Sequence, residues 1–325
     1  MSDSVPETSP ALFQDDLEEA MRDPAIPPED IASLVITLAR KAVEEPPQDE
    51  IRGRDDDTPG LEGFLWDLWY KLLEIADVDP SMHDRLASIL TAIAAKGKEG
   101  CEGWRLWNRD IDWADRPLFG AALRESMNGI FPSYVVDGTG HIIMPPYPPE
   151  VLAALAGDPP TDSPLPRSAA RARTKWMNQN AFIARLWTLD IMDWSTYGIS
   201  TMRMDLEPYS LPPERRSTDE TSLPQELKVE NAAVWIRVAG EKMFESHEIL
   251  GPKGNPEWDS KRGAPGSSGG TWDGVDGYHP DRWAHWKRIF KEISEGEGRQ
   301  NMRDAAKAAV EAMEQVEREH SNNSH

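Results

Sequence analysis

The strongest constraint on the fold is a helical repeat of apolar residues in two neighbouring segments. Between residues 61 and 76 the apolar side chains recur every three or four positions: Leu61, Phe64, Leu65, Leu68, Trp69, Leu72, Leu73 and Ala76. Asp79-Pro80 then supplies a cap and a first-turn proline, and the repeat resumes from Leu86 until Gly97. This pattern predicts two helices, and their short connection predicts an antiparallel pair.

The same periodicity recurs along the rest of the chain. It predicts helices within residues 31–42, 118–128, 150–156, 168–194, 225–247, 281–294 and 299–319. One hairpin signal is present, with apolar residues 134–136 and 142–144 on either side of Asp137-Gly138-Thr139-Gly140. We therefore expect an all-α fold: a single irregular multi-helix domain with long loops and at most one short β-hairpin.

Charge suggests how the chain is organised. The formal net charge is −22, and residues 1–60 hold 16 acidic and 5 basic side chains. Residues 1–28 show no sustained periodicity, which is typical of an acidic, disordered N-terminus. An all-helical domain is expected over residues 29–295. A C-terminal accessory helix and tail are expected over residues 296–325, following the glycines of Gly296-Glu297-Gly298.

Composition also argues against several kinds of partner and site. Strong negative charge disfavours nucleic acid and anionic membranes as partners. No apolar run is long enough to cross a bilayer, and residues 1–19 do not resemble a targeting segment, so a cytoplasmic or nuclear location is expected. The single cysteine, Cys101, precludes a disulfide framework and a thiolate zinc site.

No motif for cofactor, metal or nucleophilic chemistry is found. None of the seven histidines has H-E-x-x-H or H-x-x-x-H spacing, and no G-x-S-x-G turn occurs. The glycine-rich run from Gly263 to Thr271 lacks the lysine of a phosphate-binding loop, so it is interpreted as a flexible loop. The sequence thus predicts no cofactor and no metal site.

Three segments together resemble a known family. They are Trp113-Ala-Asp-Arg-Pro-Leu-Phe-Gly-Ala-Ala-Leu-Arg-Glu-Ser-Met-Asn128, Trp176-Met-Asn-Gln-Asn-Ala-Phe-Ile-Ala-Arg-Leu186 and Ala232-Ala-Val-Trp-Ile-Arg-Val-Ala-Gly-Glu-Lys-Met-Phe244. The combination is similar to the fungal proteins grouped as domain of unknown function 3632, over roughly residues 60–250. The chain departs from that pattern at Arg116 and Met127. The resemblance implies a fungal intracellular helical protein and brings no activity with it.

Candidate site residues come from polar and aromatic side chains in these segments. Asn180 shares an apolar helix face with Trp176 and Trp187, and Arg185 lies one turn further on. A buried amide must find partners, such as the indole N–H of another tryptophan. The remaining candidates are Trp113, Arg124, Glu125 and Trp235. Two interpretations stay open: a polar clasp between helices, or ligand-orienting groups in a Trp-lined pocket.

The abundance of tryptophan bears on function. The chain has 13 Trp against 6 Tyr and 7 Phe, and several lie outside predicted helices, including Trp104, Trp107 and Trp258. These loop residues either anchor loops on the core or form a binding surface, because tryptophan is enriched at interaction hot spots. We expect a protein that acts through protein interaction. The alternative is a small-molecule binder or cofactor-independent enzyme, which should hold a carboxylate of raised pKa.

Overall fold

Helices account for nearly all regular structure in the computed structural model, confirming the all-α prediction. The structure describes residues 11–46, 57–127, 138–141, 146–215 and 223–323, without the side chains of 11–15, 213 and 323. The chain divides into two compact units, residues 1–129 and 130–325. This division differs from the single domain predicted over residues 29–295.

The first unit contains five described helices and one hairpin. The helices are α1 (Ala11–Arg22), α2 (Pro28–Glu44), α3 (Leu61–Val78), α4 (His83–Ala95) and α5 (Phe119–Met127). The predicted helix pair corresponds to α3 and α4, joined by a 3-10 turn over Pro80–Met82. However, α4 packs most extensively on α2, whereas α3 packs on α5 and α1.

Helix α1 contradicts the predicted disorder of residues 1–28 over its described part. Leu17, Ala20 and Met21 are buried, and their spacing forms a short apolar stripe. From α4, Arg85 donates hydrogen bonds to the carbonyls of Met21 at 2.6 Å and Ile26 at 2.8 Å. A cation at these C-terminal carbonyls satisfies acceptors that the helix leaves open. Residues 11–28 are therefore an integral part of the first unit.

The hairpin lies outside the predicted position. Strands β1 (Arg105–Leu106) and β2 (Arg109–Asp110) pair antiparallel, with Arg105 opposite Asp110. The two turn residues, Trp107 and Asn108, have positive φ angles of 51° and 62°. Such φ values match the two-residue turns that join hairpin strands. The hairpin predicted around residues 134–144 falls largely outside the described residues.

The second unit contains six described helices. They are α6 (Pro149–Leu155), α7 (Pro164–Thr188), α8 (Ser195–Thr201), α9 (Gln225–Glu245), α10 (Pro280–Glu295) and α11 (Gln300–Asn323). A π-helical turn over Met202–Leu206 follows α8 directly. The long helix predicted over 168–194 ends earlier, at Thr188.

Helix α9 is central to the second unit, where it packs on α7, on α11 and on the π-helical turn. Its residues Trp235, Ile236 and Ala239 are buried. A Cβ at Gly240 would lie 3.6 Å from the ring of Trp283 on α10, which is ordinary van der Waals contact, so the packing does not require glycine here. Helix α11, predicted as an accessory helix, buries Met302, Ala306, Ala309 and Met313 and is part of this core.

Among the described residues, no helix is both long and apolar enough to span a membrane.

Candidate functional site

The predicted site residues fall into two sets, one in each unit. In the first unit Trp113 is fully buried, and its Nε1 donates a hydrogen bond to the carbonyl of Glu99 at 3.2 Å. Arg124 and Glu125 are exposed on α5. Trp113 is thus a core residue that fastens its loop, while the two charged residues face solvent.

The second set forms a clasp between α7 and α9. Asn180 is buried; its Oδ1 accepts a hydrogen bond from Trp235 Nε1 at 3.0 Å, and its Nδ2 donates to the carbonyl of Trp176 at 2.9 Å. The expected pairing of the buried amide with an indole N–H is confirmed. The ring of Trp187 lies 6.5 Å from that of Trp235 and 5.8 Å from that of Tyr278.

The geometry of this set favours packing over ligand binding. Asn180 is only 1% exposed and each end of its amide has a protein partner, so a ligand has little access to it. Trp176 and Arg185 are only half-buried on the same helix. Of the two interpretations left open by the sequence, the hydrogen bond between Asn180 and Trp235 fits a polar clasp between helices.

A buried ion pair was missed by sequence reasoning. Glu207 and Arg282 are both 0% exposed, and Arg282 Nε donates to Glu207 Oε1 at 2.8 Å. Trp286 Nε1 donates to the same oxygen at 2.8 Å, and the amide of Gly269 donates to Oε2 at 2.7 Å. Both carboxylate oxygens are therefore satisfied, as a buried charge requires. The available signal was weak: an arginine one turn before Trp286 on the buried face of α10.

The same pair anchors the glycine-rich run, which the sequence suggested was flexible. Arg282 donates to the carbonyls of Gly266 and Ser267. At Gly269 a Cβ would lie 1.7 Å from the carbonyl oxygen of Arg203, so only glycine allows this approach. The prediction of a flexible loop is wrong here, because backbone contacts and a buried charge hold the run against the unit.

A carboxylate of raised pKa lies on the π-helical turn. Asp205 is half-buried, and its Oδ2 accepts a hydrogen bond from Asn231 Nδ2 at 2.8 Å. Loss of hydration raises the pKa of Asp205 to about 6. The hydrogen bond from Asn231 and the positive charge of Lys228 act in the opposite direction and lower the pKa, but by less. Such a group exchanges protons near neutral pH, and π-helical turns occur frequently at functional sites. Asn231 lies one turn before Trp235 on α9.

The raised pKa of Asp205 predicts a change of stability with pH. The folded-state pKa of about 6 exceeds the unfolded value, so the folded protein binds the proton more tightly. This contribution favours folding below about pH 4 and is lost as pH rises through 6. We expect Asp205→Asn to raise the free energy of unfolding at pH 7.5 by about 1 kcal/mol and to leave it unchanged near pH 4.

Urea unfolding of the wild type and D205N at pH 4, 5, 6 and 7.5 measures this difference. Asp281→Asn, at an exposed aspartate, is the matched control and should show no such pH-dependent gain. Equal pH profiles for wild type and D205N would contradict the assignment.

A third feature is an aromatic surface on the first unit, made of Trp66, Tyr70 and Trp107. The rings of Trp66 and Tyr70 stack one helical turn apart on α3, with centroids 5.5 Å apart. Trp107, at the hairpin turn, donates from Nε1 to Glu62 Oε1 at 3.0 Å, and Glu62 lies one turn before Trp66. Tyr70 is 43% exposed and Trp107 is 40% exposed.

Carboxylates lie around the aromatic surface, together with Arg105 and Arg109, which flank Trp107 in the hairpin. Burial and the negative charge of Glu125 raise the pKa of Tyr70, which places this predicted site residue beside the ring. Asp67 and Glu74 are exposed on α3. Residues 1–129 hold 28 acidic and 13 basic side chains, a net charge of −15, so most of the charge of the chain belongs to this unit.

No curated protein and no solved structure matches the chain. A family model described as "Protein of unknown function (DUF3632)" matches residues 69–290, a span that includes the clasp, the buried ion pair, Asp205 and most of the aromatic surface. The chain therefore belongs to the DUF3632 family, as its three sequence motifs indicated.

Proposed function

We propose that this is a fungal intracellular protein whose first unit binds a basic segment of a protein partner through the aromatic surface. The observation that carries the proposal is the exposure of Tyr70 and Trp107, beside the half-buried ring of Trp66, on a strongly acidic unit. Aromatic side chains are enriched at protein interfaces and supply much of their binding energy.

The stability of the fold does not explain these exposed rings. The apolar core beneath α3 is formed by Leu65, Leu68, Trp69 and Leu72, which are almost completely buried. Trp107 occupies a position with φ of 51°, where a residue with a bulky side chain is disfavoured and glycine or asparagine is preferred. A strained backbone position occupied by an exposed tryptophan favours a functional role for its ring.

Charge indicates the chemistry of the partner. Glu62, Asp67 and Glu125 lie on or beside the aromatic surface, and the unit as a whole carries a net charge of −15. Arginine and lysine side chains stack favourably on exposed tryptophan and tyrosine rings and pair with nearby carboxylates. A segment rich in arginine or lysine thus matches both properties of the surface.

The test uses three sets of fluorescent peptides with equal apolar content and net charges of about +5, 0 and −5. We expect the basic peptides to bind the full-length protein most tightly, and more weakly as salt increases. Trp107→Gly, which suits the positive φ, and Tyr70→Gln should each weaken this binding by at least about tenfold. Fluorescence anisotropy gives the dissociation constants.

Leu189→Gln and Met204→Gln are the controls, because they remove exposed apolar residues of the second unit. They should leave peptide binding unchanged. Equal affinity for the three charge classes, or undiminished binding by the Trp107 and Tyr70 variants, would refute the proposal.

The raised pKa of Asp205 favours a second candidate function, a small-molecule binder or cofactor-independent enzyme with Asp205 as the group that transfers a proton. Asp205 accepts its hydrogen bond from Asn231, which lies one turn before Trp235 on α9. This candidate requires the pH-dependent difference in stability between the wild type and D205N described above. An aspartate of ordinary pKa would be ionised near pH 6 and could not act as an acid there.

A further inference from the structure

We propose that Glu241, Glu245 and His320 form a binding site for a divalent transition-metal ion, with zinc as the representative case. The site would join α9, which carries both glutamates, to α11, which carries the histidine. It lies in the second unit and is independent of the aromatic surface.

The ligand atoms already lie together. Glu241 and Glu245 are four residues apart, so their carboxylates share one face of α9. One ligand atom from each of Glu241, Glu245 and His320 lies within 4.8 Å of the others, and His320 Nε2 is 3.0 Å from Glu245 Oε1. Zinc bonds to imidazole and carboxylate measure about 2.0–2.2 Å, so small side-chain rotations would bring all three atoms to one ion.

Groups outside this cluster orient the histidine as a ligand. His320 Nδ1 lies 3.0 Å from the carbonyl oxygen of Val316, which can only accept, so Nδ1 carries the proton. Without an ion Nε2 also carries a proton, which it donates to Glu245 Oε1 at 3.0 Å, and a bound metal would replace this proton. A ring nitrogen that donates to a carbonyl while the other binds a metal is the usual arrangement of histidine ligands.

Packing holds the imidazole ring in this orientation. The ring of Phe244, between the two glutamates in sequence, meets that of His320 edge to face at 5.0 Å. Phe244 in turn contacts the ring of Trp283 on α10 at 5.3 Å. The imidazole of His320 is therefore held by a chain of edge-to-face aromatic contacts that ends at the buried Trp283.

The ligand set selects the type of ion. One imidazole nitrogen and two carboxylates suit zinc, cobalt or nickel, whereas magnesium prefers oxygen ligands alone in octahedral geometry. Three protein ligands leave at least one coordination position for water, as in zinc sites that remain open. Because the ligands come from two helices, a bound ion would also stabilise the packing of α11 on α9.

The experiment uses the full-length protein without a polyhistidine tag. Calorimetric titration with zinc chloride should show one ion per chain, and magnesium chloride should bind far more weakly. His320→Asn and Glu241→Gln should each weaken zinc binding by at least about tenfold. Zinc should raise the melting temperature of the wild type and fail to do so for either variant.

His247→Asn is the matched control, because His247 is exposed and lies two residues after Glu245. It should bind zinc as the wild type does. The proposal is overturned if the wild type does not bind zinc, if H320N binds it equally well, or if H247N loses binding to the same extent.

Discussion

Replacing Arg282 with methionine is expected to lower the free energy of unfolding by about 3–5 kcal/mol, because Glu207 would remain buried without its charge partner. Neither side chain is exposed, so water cannot replace the lost guanidinium. Arg282 also donates to the carbonyls of Gly266, Ser267 and Gly277, and the glycine-rich run would lose these contacts. Urea unfolding followed by far-UV circular dichroism measures the change.

Two further variants show how much of the stability loss in R282M comes from the unpaired charge of Glu207 and how much from removing an arginine side chain. Arg288→Met removes an exposed ion pair with Glu292 and should cost less than about 1 kcal/mol. The double variant R282M/E207Q removes both charges and should be more stable than R282M alone, since no unpaired charge is left in the interior. An R282M variant no less stable than R288M would contradict this account.

Trp235→Ala is expected to cost about 3–5 kcal/mol, because it empties the centre of the second unit where α7 and α9 meet. Trp235 is completely buried, and its ring lies against that of Trp187. Trp235→Phe retains most of the apolar contact but removes the indole N–H, leaving Asn180 Oδ1 unpaired at a cost of about 1–3 kcal/mol.

A double-variant cycle isolates the hydrogen bond. Asn180→Leu alone leaves the N–H of Trp235 without its acceptor, whereas N180L combined with W235F removes donor and acceptor together. The double variant should be more stable than the sum of the two single losses predicts. Additive losses would indicate that the Asn180–Trp235 bond contributes nothing beyond packing.

Local patterns made most of the helices predictable, and long-range contacts explain the failures. Helices α3, α4 and α10 carry clear apolar periodicity, so their types and approximate limits follow from neighbouring residues. Helix α1 has only a short stripe and depends on Arg85, more than sixty residues away. The hairpin turn uses Trp107-Asn108, which lacks the Asn-Gly or Asp-Gly signal.

The same distinction applies to the candidate sites. The need of Asn180 for a partner could be predicted, because a buried amide on an apolar helix face requires one wherever the fold supplies it. Glu207 and Arg282 are 75 positions apart, and nothing near either residue indicates that they meet. Glu241 and His320 belong to helices joined by a long intervening segment, so no sequence spacing could indicate a shared site.

The position of α11 has a consequence for biosynthesis. Helix α9 ends at Glu245 and α11 begins at Gln300, so a ribosome completes the first of these helices well before the second. During that interval the α9 face on which α11 packs remains uncovered. The nascent chain thus presents an apolar helix face to the cell until translation reaches α11, and this unit must fold late in synthesis.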